Sequence, residues 1–326
     1  MSPDKNSSRP KAAWYKRIGT LEAATLALLA LILFNALFTR NFLTLQTLNV
    51  NLTQVATIVI VGVGMTLVIA TGGIDLSVGS LMAISGALAP MIFTNSAFPP
   101  WLDIAFAFIL PVLVAGLGGV FNGTLVTRFR IQPIIATLIL YIAGRGIAQV
   151  LTNGNLQVFR NPEFQYIALG RPLGIPFQVI LMVIVVLVAV WVIRSTVFGR
   201  YILAVGDNEA AARLAGVPVN AVKLAVYAIS GLLAGVAGLI VIAINSSSDA
   251  NQVGLNMELD AIAAVAVGGT ALTGGKALIV GTLLGALIIQ LIRYTLLANR
   301  VPDAAALIVK AAIIIAAVYF LRPRRA

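Results

Sequence analysis

Residues Gly64 to Ser80 read GMTLVIATGGIDLSVGS, and this stretch restricts the fold more than any other. One apolar run ends there and the next begins, across paired glycines, an acid and a serine. Backbone facing lipid cannot leave its helix, because hydrocarbon offers no partner for a free N–H or C=O. Irregular backbone at membrane depth survives only when it is buried in protein or lines a watery cavity. An aspartate at that depth costs about 2.5–3.5 kcal/mol on insertion scales, so Asp75 needs a partner or a task.

The same apolar character runs through the chain. Of its 326 residues 60% are hydrophobic and 10% charged, against about 25% charged in soluble domains. No polar stretch is long enough to fold alone, so residues 1–326 are expected to form one transmembrane domain. The class is all-α and polytopic, with the bilayer supplying much of the burial. Cysteine is absent, which excludes disulfides and thiolate sites. Histidine is absent too, which removes the commonest metal ligand and general base. No metal site is expected. The net charge of +11 invites nucleic acid as a partner. That is rejected, because the basic residues sit in short loops between apolar runs, where they set topology.

Ten segments are long enough to span, near 20–38, 53–71, 77–94, 104–126, 133–151, 177–193, 223–244, 259–274, 277–294 and 304–321. Ten spans put both termini on one side. That side collects Lys5, Arg9, Lys11, Lys16, Arg17, Arg128, Arg130, Arg194, Arg200, Arg213, Lys223, Lys276, Arg322, Arg324 and Arg325. The other side receives Arg40, Arg160, Arg171 and Arg300, beside Asp103, Glu163, Asp249, Glu258 and Asp303. The asymmetry predicts cytoplasmic termini, with cytoplasmic tails 1–19 and 322–326, and an even number of spans. Eight spans result instead if one glycine-rich pair re-enters. The run Leu21 to Phe38 is too long for a signal-peptide core and is read as an uncleaved first span.

A weak internal repeat aligns Gly72-Gly73-Ile-Asp-Leu76-Ser77-Val-Gly79 with Gly268-Gly269-Thr-Ala-Leu272-Thr273-Gly-Gly275. Paired glycine-interrupted segments point to a transport site, although low-complexity helices also align by chance. Glycines four apart (Gly119 and Gly123, Gly231 and Gly235, Gly281 and Gly285) bring backbones close, within a bundle or across a dimer seam. The stretch GGTALTGGKAL imitates a phosphate loop, but after Gly269 and Gly274 it is Gly275 that stands where the lysine belongs, and Lys276 is itself followed by Ala277, not by the Ser or Thr that would hold magnesium. ATP, if used, binds another chain.

Asp75 and Arg145 are the stronger functional candidates among the intramembrane ionisable residues, with a structural ion pair as the alternative. Asp260 and Arg293 lie near span ends, where side chains snorkel. Lys310, in mid-segment, needs a partner or a cavity. Ser77, Asn122, Thr137 and Gln149 are candidate polar contacts along a path, or helix-to-helix hydrogen bonds. The loop Gly206 to Lys223, GDNEAAARLAGVPVNAVK, predicts a short helix outside the membrane. Asp207 or Asn208 caps it, helix formers follow from Glu209 to Leu214, and Gly216 with Pro218 ends it. Such a helix either seats in a groove of another protein or lies at the interface.

These motifs resemble the permease subunits of bacterial ABC importers for monosaccharides, the ribose, xylose and galactose group. The resemblance rests on GMTLVIATGGIDLSVGS, on ELDAIAAVAVGGTALTGG (Glu258 to Gly275) and on NEAAARLAG (Asn208 to Gly216), and covers the chain from about residue 50. IQPIIATLILYIAGRGIAQ, DANQVGLNMELDAI and GALIIQ look most like the galactofuranose-type permease. The resemblance implies an all-helical type II importer fold in the bacterial inner membrane. It implies a second permease, the same or related, a periplasmic sugar-binding protein and a cytoplasmic ATP-binding subunit that holds ATP and Mg. Loop 206–219 would be the ATPase-coupling segment, with Asp207, Asn208, Glu209, Ala210, Ala211 and Gly216. Arg160 and Arg171 on the long loop 152–176 are, from charge alone, candidates to meet acids on the binding protein. No catalysis and no bound cofactor are expected of this chain. An ion-driven secondary transporter is the alternative, weakened by the lack of a histidine or acidic relay. An integral membrane enzyme finds still less support.

Overall fold

In a computed structural model the chain forms a helical bundle, described for residues 20–94, 99–302, 305, 308–309 and 311–312. Its elements are α1 (Thr20–Phe38), α2 (Leu45–Ala70), α3 (Val78–Thr94), α4 (Pro100–Thr127), α5 (Pro133–Leu151), β1 (Gln157–Val158) and α6 (Pro162–Leu169). They continue with α7 (Phe177–Ser195), α8 (Val197–Asp207), α9 (Glu209–Leu214), α10 (Val219–Asn245), β2 (Ser247–Ser248), α11 (Met257–Val267) and α12 (Ile279–Ala298). Seven of the described helices, α1, α2, α4, α5, α7, α10 and α12, are long and apolar enough to cross a membrane.

The third and eighth expected segments come out shorter. α3 has 17 residues, and α11 has only 11 where 259–274 was expected to span. At about 1.5 Å per residue α11 covers roughly half of a ~30 Å hydrocarbon core. The reason is local: the chain enters α11 at Asn256 and Gly254 and leaves it at Gly269, all with positive φ. The glycine-rich tail of that apolar run is loop. The tenth segment, with Lys310 and both terminal tails, lies outside the described residues except for scattered positions.

Sequence pattern explains where each helix sits. α2 is apolar from Val55 to Ala70 apart from Thr57 and Thr66, and every residue of that stretch is buried. A helix apolar on every side belongs at the centre. α1, equally apolar, presents Leu26, Leu29, Leu33 and Leu37 to its surroundings and rests mainly on α12. Prolines at the first helical position open α4 and α5, where the missing N–H has no helical partner to lose.

The small-residue faces are seams within the chain. A Cβ on Gly119 would fall 2.2 Å from the Tyr227 carbonyl oxygen, and one on Gly231 would fall 2.4 Å from that of Ala115. α4 and α10 therefore touch backbone to backbone. Gly281 and Gly285 of α12 sit in the same way on Gly268 and Ala264. Such contact replaces the hydrophobic drive that lipid does not supply.

The bundle has two distinct ends. One carries α9 and the glycine turns at Gly72 and at Gly274–Gly275. The other carries α6 and the antiparallel ribbon β1–β2, with Gln157 opposite Ser248 and Val158 opposite Ser247. Phe93, Phe108, Phe159 and Phe164 cluster beneath α6 and hold it to the bundle.

Candidate functional site

A cavity of about 540 Å³ opens between α2, α10, α11, α12 and the loop 252–257. Gln54 and Thr57 face it from α2, Asn245 from the end of α10, Gln252 and Asn256 from the loop, and Asp260 and Arg293 from α11 and α12. Ile58, Val241, Ile244 and Ile292 supply apolar wall. Amides and hydroxyls both donate and accept, so this lining suits an uncharged polyhydroxyl solute. The position of Gln54 is set by Gln290, whose Nε2 donates to Gln54 Oε1 at 2.6 Å and to Asn51 Oδ1 at 3.3 Å.

None of the six expected path residues lines this cavity. Asp75, Ser77 and Asn122 form one buried network. Asp75 Oδ1 accepts from the Ser77 amide (3.0 Å) and hydroxyl (2.7 Å), while Oδ2 accepts from Ser230 Oγ (2.8 Å). Asn122 Nδ2 donates to Ser77 Oγ at 2.7 Å. Asp75 thus ties the irregular segment between α2 and α3 to α4 and α10, and all three side chains are closed off from solvent. The Thr137 hydroxyl lies 3.0 Å from Pro133 O and 3.3 Å from Ile74 O, which adds α5 to the same knot.

Arg145 and Gln149, one turn apart on α5, clamp the loop that forms the cavity wall. Arg145 Nη1 donates to Ala250 O (2.8 Å) and Val253 O (2.6 Å), and Nη2 reaches Gly79 O (3.4 Å). Gln149 Nε2 donates to Asn251 Oδ1 at 2.7 Å. A guanidinium suits this task, since its fork satisfies several carbonyls at once. The loop also packs on α3: a Cβ on Gly79 would fall 2.3 Å from Gly254 O.

At the α9 end Asn208 is the cap, its Oδ1 accepting from Ala211 N at 3.0 Å, whereas Asp207 closes α8. Glu209 bridges Arg213 (3.1 Å) and Lys223 (2.5 Å). The Lys223 hydrogen bond is the main cause holding the Glu209 carboxyl below the usual carboxylate range, partial burial opposing it and Arg213 adding to it. Ala210 and Ala211 are exposed and Leu214 is 91% exposed, so the helix presents an unpartnered apolar face. Gly216 adopts φ +80, the left-handed turn that ends α9. The glycines of the imitation phosphate loop are spent on packing: Gly275 N donates to Ala70 O at 3.0 Å. At the opposite end Arg160 and Arg171 are both exposed, flanking α6 among the exposed Leu169 and Leu173.

The cavity residues carried a sequence signal of their own. Gln54 and Thr57 close the polar first half of α2, where Gln46, Thr47, Asn49, Asn51 and Thr53 precede them before the apolar run begins. Asn245, Gln252 and Asn256 belong to the polar run between α10 and α11.

A half-length helix between irregular turns, a polar cavity and an exposed helix at one end together define a membrane transport protein. The chain belongs to the permease family described as branched-chain amino acid transport system / permease component, which matches residues 47–318. It is similar to the ribose import permease protein of Escherichia coli (strain K12), 43% identical over 301 residues, 91% of this chain and 92% of that one. It is 41% identical to the galactofuranose transporter permease protein of the same strain over 266 residues, 81% of this chain and 76% of that one. The fructose import permease protein of Bifidobacterium longum (strain NCC 2705) is 41% identical over 250 residues, 76% of this chain and 69% of that one. No solved structure gives a significant match. The chain is a multi-pass inner-membrane permease subunit, one component of a transport system and not an enzyme.

Proposed function

We propose that the chain is the transmembrane subunit of an ATP-driven monosaccharide importer working by alternating access, and that the 540 Å³ cavity is part of the sugar's path. The observation that carries this is the lining: five uncharged amide or hydroxyl side chains (Gln54, Thr57, Asn245, Gln252, Asn256) against aliphatic wall, in a volume typical of small-molecule sites. Relatives named for ribose, galactofuranose and fructose support the solute class, and their similar identities to this chain leave the individual sugar open, galactofuranose included. Asp75, Ser77, Asn122, Thr137, Arg145 and Gln149 serve the path by holding its walls. The Asp260 carboxylate and Arg293 guanidinium add orientation.

The charge pattern of the loops supports ten crossings with both termini cytoplasmic, α3 and α11 being short crossings completed by irregular backbone. On this reading α9 is cytoplasmic and α6 lies outside. α9, with its exposed Leu214, is then the segment that docks on a cytoplasmic ATP-binding subunit, which holds ATP and Mg. Loop 152–176, with Arg160 and Arg171, receives a periplasmic sugar-binding protein. A second permease, identical or related, completes the path.

The absence of cysteine makes the test clean. A Gln252→Cys variant in the assembled transporter reacts with a membrane-impermeant thiol reagent, and a transported monosaccharide slows that reaction. Equal reaction rates with and without saturating sugar, in a complex that still transports, would remove the cavity from the path.

A further inference from the structure

Three backbones meet beside α9. The missing side chain of Gly206, in the last turn of α8, leaves room for two others: a Cβ there would fall 1.8 Å from Ala70 O and 2.5 Å from Gly275 N. Gly275 N in turn donates to Ala70 O at 3.0 Å, and a Cβ on Gly274 would fall 2.8 Å from Gly206 O. Ala70 ends α2 and begins the turn that carries Asp75 into α3. Gly275 lies in the turn from α11 to α12. The two glycine turns that align in the sequence thus abut each other, and both abut the residue two positions before the α9 cap.

We propose that Gly206 is the positioning residue through which α9 acts on the transport path, seating both turns against one point of the α8–α9 segment. Contact between backbones has no rotamer to yield, so a displacement of α9 is passed on rather than absorbed. One branch runs through Gly72 and Gly73 to the Asp75–Ser77 knot and α3, whose Gly79 packs on Gly254 of the cavity loop. The other runs through Gly274 and Gly275 to α12, which carries Arg293 on the cavity wall. A single seat moves both walls together, as alternating access requires. The inference rests on the ATP-driven reading above.

The test uses the complete transporter in proteoliposomes and compares Gly206→Ala with Gly199→Ala. Gly199 also lies in α8, and its Cβ would fall 2.3 Å from Val192 O and 2.6 Å from the Ile193 Cα, a clash with backbone of the same kind, if less close, away from the seat. We expect both variants to assemble and hydrolyse ATP. Only Gly206→Ala loses sugar moved per ATP hydrolysed, by roughly fivefold or more, the usual scale of coupling between sites. An unchanged ratio in Gly206→Ala, or equal losses in both variants, overturns the proposal. Absence of ATP-driven uptake in the unmodified complex would instead overturn the transport reading. A second measurement needs no variant in the seat. Labels on cysteines at Ala215, the exposed residue that follows α9, and at Leu272 and Phe129 report distances through the ATP cycle. The Ala215–Leu272 distance is expected to hold within about 2 Å while both move relative to Phe129, larger shifts being typical of helix ratchets. An Ala215–Leu272 change as large as either change to Phe129 would show that the seat slips.

Discussion

Replacing Arg145 by lysine is predicted to loosen the cavity loop without unfolding the bundle. Arg145 Nη1 alone holds two carbonyls, Ala250 O at 2.8 Å and Val253 O at 2.6 Å. A lysine keeps the charge, but its compact ammonium on a flexible stem cannot reproduce the fork. A hydrogen bond to a charged group is worth about 1.5–3 kcal/mol, so losing one raises the open population of the loop roughly 10- to 100-fold. Val253 is 3% exposed, and the chain has no cysteine, so Val253→Cys makes a reporter that reacts only when the loop opens. When reclosing is fast, the thiol-labelling rate follows the open population. Labelling of Val253→Cys is therefore expected to accelerate by about tenfold or more on adding Arg145→Lys. Gln149→Leu, which loses one neutral bond to Asn251, should accelerate it only about 2- to 10-fold. A rate in the Arg145→Lys background that stays within about twofold of the parent would refute the clamp, because the loop would then be held by its packing on Gly79 and by the β1–β2 ribbon.

Further outcomes follow from other contacts. Lys223, chiefly by its hydrogen bond, holds the Glu209 carboxyl low. A depressed carboxylate stabilises the fold above its unfolded pKa and loses that effect as pH falls through the folded value. A label at Leu214→Cys should keep the same mobility at neutral pH, loosen only in acid below the usual carboxylate range, and lose that acid step in Glu209→Gln. The effect is small and screened by salt, because Glu209 is partly exposed. Leu214→Asp should leave the amount of protein in the membrane unchanged and abolish co-purification of the ATP-binding subunit. Gly119→Ala drives a methyl onto Tyr227 O and should destabilise by about 1–3 kcal/mol, read as a lower Tm in detergent. Gly146→Ala, on the same scale, should be neutral or stabilising by up to about 1 kcal/mol, since a Cβ there meets nothing within 4 Å.

Much of the fold was legible because lipid simplifies the code. α5 occupies 133–151 as the apolar run predicts, and α1 ends at Phe38 where polarity begins. α11 was not legible, since apolarity marks burial and not helicity. Residues 268–274, GGTALTG, are uncharged and prolong the run by hydropathy, yet Gly274 turns back against Gly206 and Gly275 N donates to Ala70 O. The six polar candidates were found because polar atoms in spans are scarce. Their geometry is a matter of depth and azimuth, which spacing along one helix does not give. Asp75, Ser77 and Asn122 share a knot because the turn that leads into α3 packs on α4 and α10 there. Gln54 and Thr57 reach the cavity because α12 and the 252–257 loop stand off from α2. The polar residues in the first half of α2 were visible, but only the packing shows which of them face the cavity. Asn208 as the cap of α9 follows from local chemistry alone and was readable to within one residue.

The account's central claim is that this chain passes a monosaccharide at the expense of ATP. The direct measurement is solute-stimulated ATP hydrolysis and uptake in proteoliposomes holding the chain with its ATP-binding subunit, second permease and binding protein. Pyranose and furanose sugars would be tested beside leucine and valine. The account predicts that one monosaccharide stimulates hydrolysis and enters, only when the binding protein is present, and that a proton or sodium gradient changes neither. Stimulation by the amino acids alone, or uptake that follows an ion gradient without ATP, would contradict it.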